Sequence, residues 1–233
     1  MRLTFSIQRF DPTKDEKPYR REYTIDVEPI FRVLDCLDKI KWEIDGSLAY
    51  RRSCSHGICG SDAMMINGKN LLACQILVRD LRKRFVKIDP IPSMPIIKDL
   101  VVDMDDFFAK YEIVKPYLIT KTPPPEKERL QSQKDRALID EAVNCILCGA
   151  CSSSCPSSWS NDNYLGPAAL LKAYRFIFDS RDEAPEERLD IIDHSDGVWR
   201  CHTIFNCVEV CPKEINLTWH ISQLKKRLVT REF

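Results

Sequence analysis

The amino-acid sequence predicts an α+β fold in two parts, a mixed sheet crossed by one helix and then an all-helical domain. Three observations carry this. Strand-period alternation is confined to the N-terminal part, where Leu3, Phe5 and Ile7 alternate with Thr4, Ser6 and Gln8, and Tyr23, Ile25 and Val27 repeat the pattern. Helical signals dominate beyond Thr122-Pro123-Pro124-Pro125, a stiff, extended stretch. The 11 cysteines among 233 residues fall into groups instead of being spread.

The elements follow in order. The two alternating runs predict a β-hairpin with one buried face. Ile30, Val33, Leu34, Leu37 and Ile40 repeat at three and four, which predicts a helix, with Cys36 on its flank as a small buried hydrophobe. Met64-Met65-Ile66 and Leu71-Leu72-Ala73 flank Asn67-Gly68, a tight-turn signal. Phe85, Val86 and Ile88 suggest a further strand, and Pro90, Pro92 and Pro95 are expected to end regular structure. Helical patterns return over Asp103–Tyr117, Leu130–Val143, Pro167–Phe178 and Leu217–Val229. The expected division is 1–103 for the first domain and 104–233 for the second.

Composition removes several classes of function. Lys plus Arg and Asp plus Glu both number 35, so bulk electrostatic capture of nucleic acid is not expected. No apolar run approaches the ~20 residues of a membrane span, so any membrane link is expected to come through a partner. Met1-Arg2-Leu3-Thr4 leads straight into a strand pattern and not a secretory signal, which favours a bacterial or archaeal chain on the cytoplasmic side. No Ser-His-Asp set, phosphate loop or dinucleotide fingerprint appears, so no catalytic residue is assigned.

The odd, grouped cysteines read as metal ligands, not as a disulfide framework. Cys54 and Cys59, then Asp62, then Cys74 follow the plant-type ferredoxin spacing C-x4-C-x2-C…C of a [2Fe–2S] cluster, with Asp at the third position. Asp62 is either the fourth donor or a nearby surface acid. Gly57 and Gly60 let the loop bring amides close to sulfur. Zinc would favour paired C-x2-C or histidine ligands. His56 is expected to face solvent.

Cys145, Cys148, Cys151 and Cys155-Pro156 match the bacterial run C-x2-C-x2-C-x3-C-P, whose fourth cysteine serves the other cluster of a pair. Laid over Cys201, Cys207 and Cys211-Pro212, the same run puts Ile204 at the second cysteine position. Cys145, Cys148, Cys151 and Cys211 then hold a [4Fe–4S] cluster. Cys155, Cys201 and Cys207 supply only three thiolates, and Ile204 cannot ligate iron. A [3Fe–4S] cluster is the natural product, and a [4Fe–4S] cluster with one open corner is the alternative.

Arg51-Arg52-Ser53-Cys54 through Asp62, Pro95 to Met104, Cys145-Ile146-Leu147-Cys148, Gly166-Pro167-Ala168 and Cys201-His202-Thr203-Ile204 resemble the iron–sulfur subunit of the succinate dehydrogenase and fumarate reductase family over essentially the whole chain. The resemblance implies a plant-type ferredoxin-like (β-grasp) domain docked on an FAD-containing flavoprotein that holds the succinate site. It implies a helical domain on a membrane anchor able to carry haem b, at the cytoplasmic face of the inner membrane. Electrons would run from FAD through [2Fe–2S], [4Fe–4S] and [3Fe–4S] clusters to quinone. Pro156, Trp159, His202 and Ile204 match positions that approach the quinone. Relatives carry two adjacent tryptophans where this chain has Ser158-Trp159-Ser160, so Trp159 stands for either. Asp62 replaces a cysteine as a variant within the family. Cys201-His202-Thr203 resembles the succinate-oxidising branch; a quinol:fumarate reductase subunit and a free-standing soluble ferredoxin are the rival readings. Arg82-Lys83-Arg84 reads as a solvated face, and Lys225-Lys226-Arg227 reads equally as that or as a partner-facing patch.

Overall fold

The computed structural model describes residues 1–231. The chain separates into two compact units, Met1–Met104 with Ile146–Ser153, and Asp105–Cys145 with Ser154–Phe233.

In the first unit, β1 (Arg2–Arg9), β2 (Tyr19–Asp26), β3 (Ala63–Ile66), β4 (Lys69–Leu72) and β5 (Phe85–Asp89) form one sheet in the order β2-β1-β5-β3-β4. Only β1 and β5 pair in parallel; the other neighbours are antiparallel. Helix α1 (Val33–Glu43) contributes Val33, Leu34, Leu37, Ile40 and a fully buried Cys36 to a core shared with Leu3, Phe5 and Ile7 of β1. Burial pushes the Cys36 thiol up to about 12 and keeps it protonated. Asn67 and Gly68, both at positive φ, make the β3–β4 turn that their sequence signalled.

The prolines do not end regular structure. β6 (Ile96–Lys98) and β7 (Val101–Val102) pair as a second small sheet. Its turn rests on Asp99, at φ 48°, a conformation that Asp tolerates better than most residues. The buried Asp99 carboxylate accepts from the backbone N–H of Phe10 (2.9 Å) and Ala49 (2.8 Å) and pairs with Arg9 Nε (3.0 Å). Those bonds outweigh the weak strand length.

The second unit contains helices and no strand among the described residues: α2 (Asp105–Ile113), α3 (Gln133–Ile139), α5 (Pro156–Ser160), α6 (Gly166–Ile177), α7 (Pro185–Ile192), α8 (Asn206–Glu209) and α9 (Leu217–Arg231). The short α4 (Ala150–Ser153) belongs to the first unit. Helix α6 is buried on nearly every side, as its near-continuous apolar sequence requires, with α2, α7 and α9 packed around it. Helix α7 was not expected, although Pro185 at its first turn and Glu186 and Glu187 beside it are start signals. Its Arg188 is fully buried, pairs with Asp182 (2.6 Å) and donates to the carbonyls of Lys115 and Tyr117. No described helix is long and apolar enough to cross a membrane.

Candidate metal centres

The first donor group lies in the first unit. Ser55, Gly57 and Gly60 take left-handed φ angles and curl the loop around Cys54. The amides of His56, Ile58 and Cys59 donate to Cys54 Sγ at 3.5, 3.3 and 3.2 Å. The bonds from His56, then Cys59 and Ile58, bring that thiol down to about 6. Cys59 Sγ lies 3.2 Å from Ser61 Oγ. Asp62 is not a surface acid: it is buried, and its Oδ2 accepts the Cys74 N–H at 2.5 Å. Burial, then the Asp62 carboxylate beside it, pushes the Cys74 thiol up to about 12. Amides aimed at Cys54 Sγ are the arrangement that stabilises negative charge on a cluster-bound sulfur. His56 is exposed, as expected, with Nδ1 2.6 Å from its neighbour Cys54 O.

Two glycines here combine positive φ with close neighbours. A Cβ on Gly57 would sit 2.2 Å from Gln75 Nε2, and one on Gly60 would sit 2.7 Å from Cys148 Cβ. The second contact is instructive. The loop that carries the first candidate group lies directly on Cys148, a member of the next candidate group, which itself packs against the core of the first unit.

Of the second group, Cys148 and Cys151 belong to the first unit, and Cys145 and Cys211 to the second. Burial raises the Cys211 thiol, and the charge of Cys145 adds to it.

The third group lies wholly in the second unit. Cys155, Cys201 and Cys207 line one cavity together with Pro156, His202 and Ile204. Burial, then the charges of Cys155 and Cys201, pushes the Cys207 thiol up to about 12. A cation shared with Cys155 and Cys201 would favour the Cys207 thiolate that burial opposes. Trp159 stands outside that lining, half exposed on α5. Lys225 of α9 donates from Nζ to the Cys201 carbonyl at 2.7 Å, a cation beside this group whose place the sequence did not reveal.

The two C-terminal runs share a backbone. Leu147 and Thr203, third in each run, have φ 54° and 58°; Gly149 and Phe205, fifth in each, have φ 79° and 71°. A single-turn helix follows each pair, α4 and α8. Ile204 thus takes the same place between two left-handed residues in its run as Cys148 does in the other.

Comparison with known proteins follows the same division. The family model of a 2Fe-2S iron-sulfur cluster binding domain matches residues 4–109, and that of a 4Fe-4S dicluster domain matches residues 137–212. The chain is 51% identical over 229 residues to the succinate dehydrogenase iron-sulfur subunit of Paracoccus denitrificans, covering 97% of this chain and 88% of the relative. It is 48% identical over 230 residues to the subunit of that name from Coxiella burnetii, covering 97% of both. The chain belongs to the succinate dehydrogenase iron–sulfur subunit family. A chain of the Mycobacterium smegmatis Sdh1 complex in the apo form shares the fold, with a TM-score of 0.86 at 24% identity over 99% of this chain and 96% of that one. A hypothetical protein from Helicobacter pylori is a more distant match, with a TM-score of 0.61 at 19% identity over 96% of this chain and 39% of that one. Members of the succinate dehydrogenase iron–sulfur subunit family carry the [2Fe–2S] and [4Fe–4S] chemistry that the first two cysteine patterns imply, so the zinc reading is set aside.

Proposed function

We propose that this chain is the electron-transfer subunit of a succinate dehydrogenase, linking the FAD of a flavoprotein subunit to membrane quinone. Cys54, Cys59, Asp62 and Cys74 hold the [2Fe–2S] cluster. Cys145, Cys148, Cys151 and Cys211 hold the [4Fe–4S] cluster. Cys155, Cys201 and Cys207 hold the [3Fe–4S] cluster. When bound, these clusters supply one-electron steps between a two-electron donor and a quinone. Residues 1–103 face the flavoprotein and residues 104–233, apart from segment 146–153 that packs with the first unit, face the membrane, peripheral at the cytoplasmic face and held by anchor subunits that can carry haem.

The contact of Gly60 with Cys148 carries this reading, because a relay needs the ligand loop of one centre against a donor of the next. The chain's own residues do the rest. Amides around Cys54 stabilise negative charge on sulfur. Lys225 places positive charge beside Cys201 and favours an electron arriving there. Pro156, His202 and Ile204 leave the third donor group open on one side, where a quinone can approach and His202 can donate to it.

Purification from membranes tests the proposal. The protein is expected to co-purify with a flavin subunit and to support succinate-dependent quinone reduction faster than fumarate reduction. Recovery of the native protein alone from the soluble fraction would contradict it, and faster fumarate reduction would favour the reverse direction.

A further inference from the structure

Segment 146–153 carries Cys148 and Cys151 and lies in the first unit, far in sequence from everything it packs on. Three contacts help to hold it. Gly60 lies on Cys148, and the side chains of Met94, Met104 and Ile91 surround Gly149. These two contacts are apolar and non-directional. The third is polar. Asn70, buried on β4, donates from Nδ2 to Ala150 O at 3.2 Å and to Ser153 Oγ at 2.7 Å. Ser153 Oγ also donates to Ala150 O at 3.3 Å.

Helix α4 is a single turn of four residues with Cys151 inside it. One turn cannot hold itself, because nucleation fixes several dihedrals for one hydrogen bond. Partners outside the helix must define it, and Asn70 is a directional one. We propose that Asn70 is a positioning residue for the [4Fe–4S] cluster. It fixes α4, and with it Cys151 and the neighbouring Cys148, onto the hairpin that delivers Cys74 to the [2Fe–2S] cluster. It thereby sets the separation of the first two centres. The inference rests on the reading that Cys148 and Cys151 are [4Fe–4S] ligands.

The chemistry demands an amide. Ala150 O only accepts, so the group facing it must donate. A carboxylate at this place would turn an oxygen toward that carbonyl, which loses the Asn70 bond, keeps only the long one from Ser153, and is repelled. Asn70→Asp is therefore the more damaging change despite its matching shape, and Asn70→Ala the milder. Ser153→Ala removes one partner and keeps the bond to Ala150.

The test uses the assembled complex from membranes, analysed for iron and sulfide and by electron paramagnetic resonance in the fully reduced state. The [2Fe–2S] signal is expected to keep its amount and g values in all three variants. The [4Fe–4S] content should fall at least twofold in Asn70→Ala and further in Asn70→Asp, with Ser153→Ala between wild type and Asn70→Ala. Where the cluster remains, its magnetic broadening of the [2Fe–2S] signal should change. Full [4Fe–4S] content with unchanged broadening in Asn70→Asp would overturn the inference. Equal loss of every cluster in all three variants would also overturn it, since that marks a general folding role. A wild-type complex without a [4Fe–4S] cluster would instead bring down the functional reading, and this inference with it.

Discussion

The runs Cys145–Cys155 and Cys201–Cys211 trace the same backbone and differ in what surrounds it. At their fifth positions both chains are left-handed, but one uses Gly149 and the other Phe205. Gly149 is enclosed: an added Cβ would meet Met94, Met104 and Ile91 at 3.1 to 3.5 Å. Phe205 and the preceding Ile204 are about half exposed. The run that keeps its second cysteine is packed under side chains. The run that has lost it is open at that corner. Ligand count and accessibility thus change together, which suits one centre that only passes electrons along and one that must meet a diffusing molecule.

Exchanging the fifth residues should separate the two surroundings most sharply. Gly149→Phe forces a bulky side chain among Met94, Met104 and Ile91 at a left-handed position and should cost about 2–4 kcal/mol, with loss of the [4Fe–4S] signal. The reciprocal Phe205→Gly should change stability by only about 1 kcal/mol and keep the [3Fe–4S] signal, because relief of strain offsets backbone freedom. Thermal melting and cluster analysis of both variants check this.

Ile204→Cys restores the missing donor. It should convert the [3Fe–4S] cluster into a [4Fe–4S] one, read as loss of the signal of the oxidised protein; an unchanged three-iron spectrum would mean that the corner is not at residue 204. A smaller effect is expected from Lys225→Met. Removing the cation beside Cys201 should lower the potential of the third centre by tens of millivolts and leave the first centre's potential unchanged. Redox titration of both signals distinguishes that from a general perturbation.

Much of this was legible in the chain because ligand spacing is a local property. Cys145 to Cys155 records its chemistry within a dozen residues, and Asn67-Gly68 marks its hairpin by backbone preference alone. The paired β6 and β7 were hidden because strands of two or three residues leave no periodicity, and their stability comes from Asp99 and distant partners. Asn70 carried no signal in the sequence, because its bonds to Ala150 and Ser153 depend on packing across eighty residues. Lys225 read as one of three basic residues until α9 placed its ammonium on Cys201. Burial of Asp62 likewise needed the fold, since sequence could not separate a donor from a surface acid.

Electron paramagnetic resonance of the native protein, oxidised and then reduced, addresses the three-centre account most directly. The account predicts a [3Fe–4S] signal in the oxidised protein and a [2Fe–2S] signal after reduction. A second [4Fe–4S] signal in place of the three-iron one would contradict it.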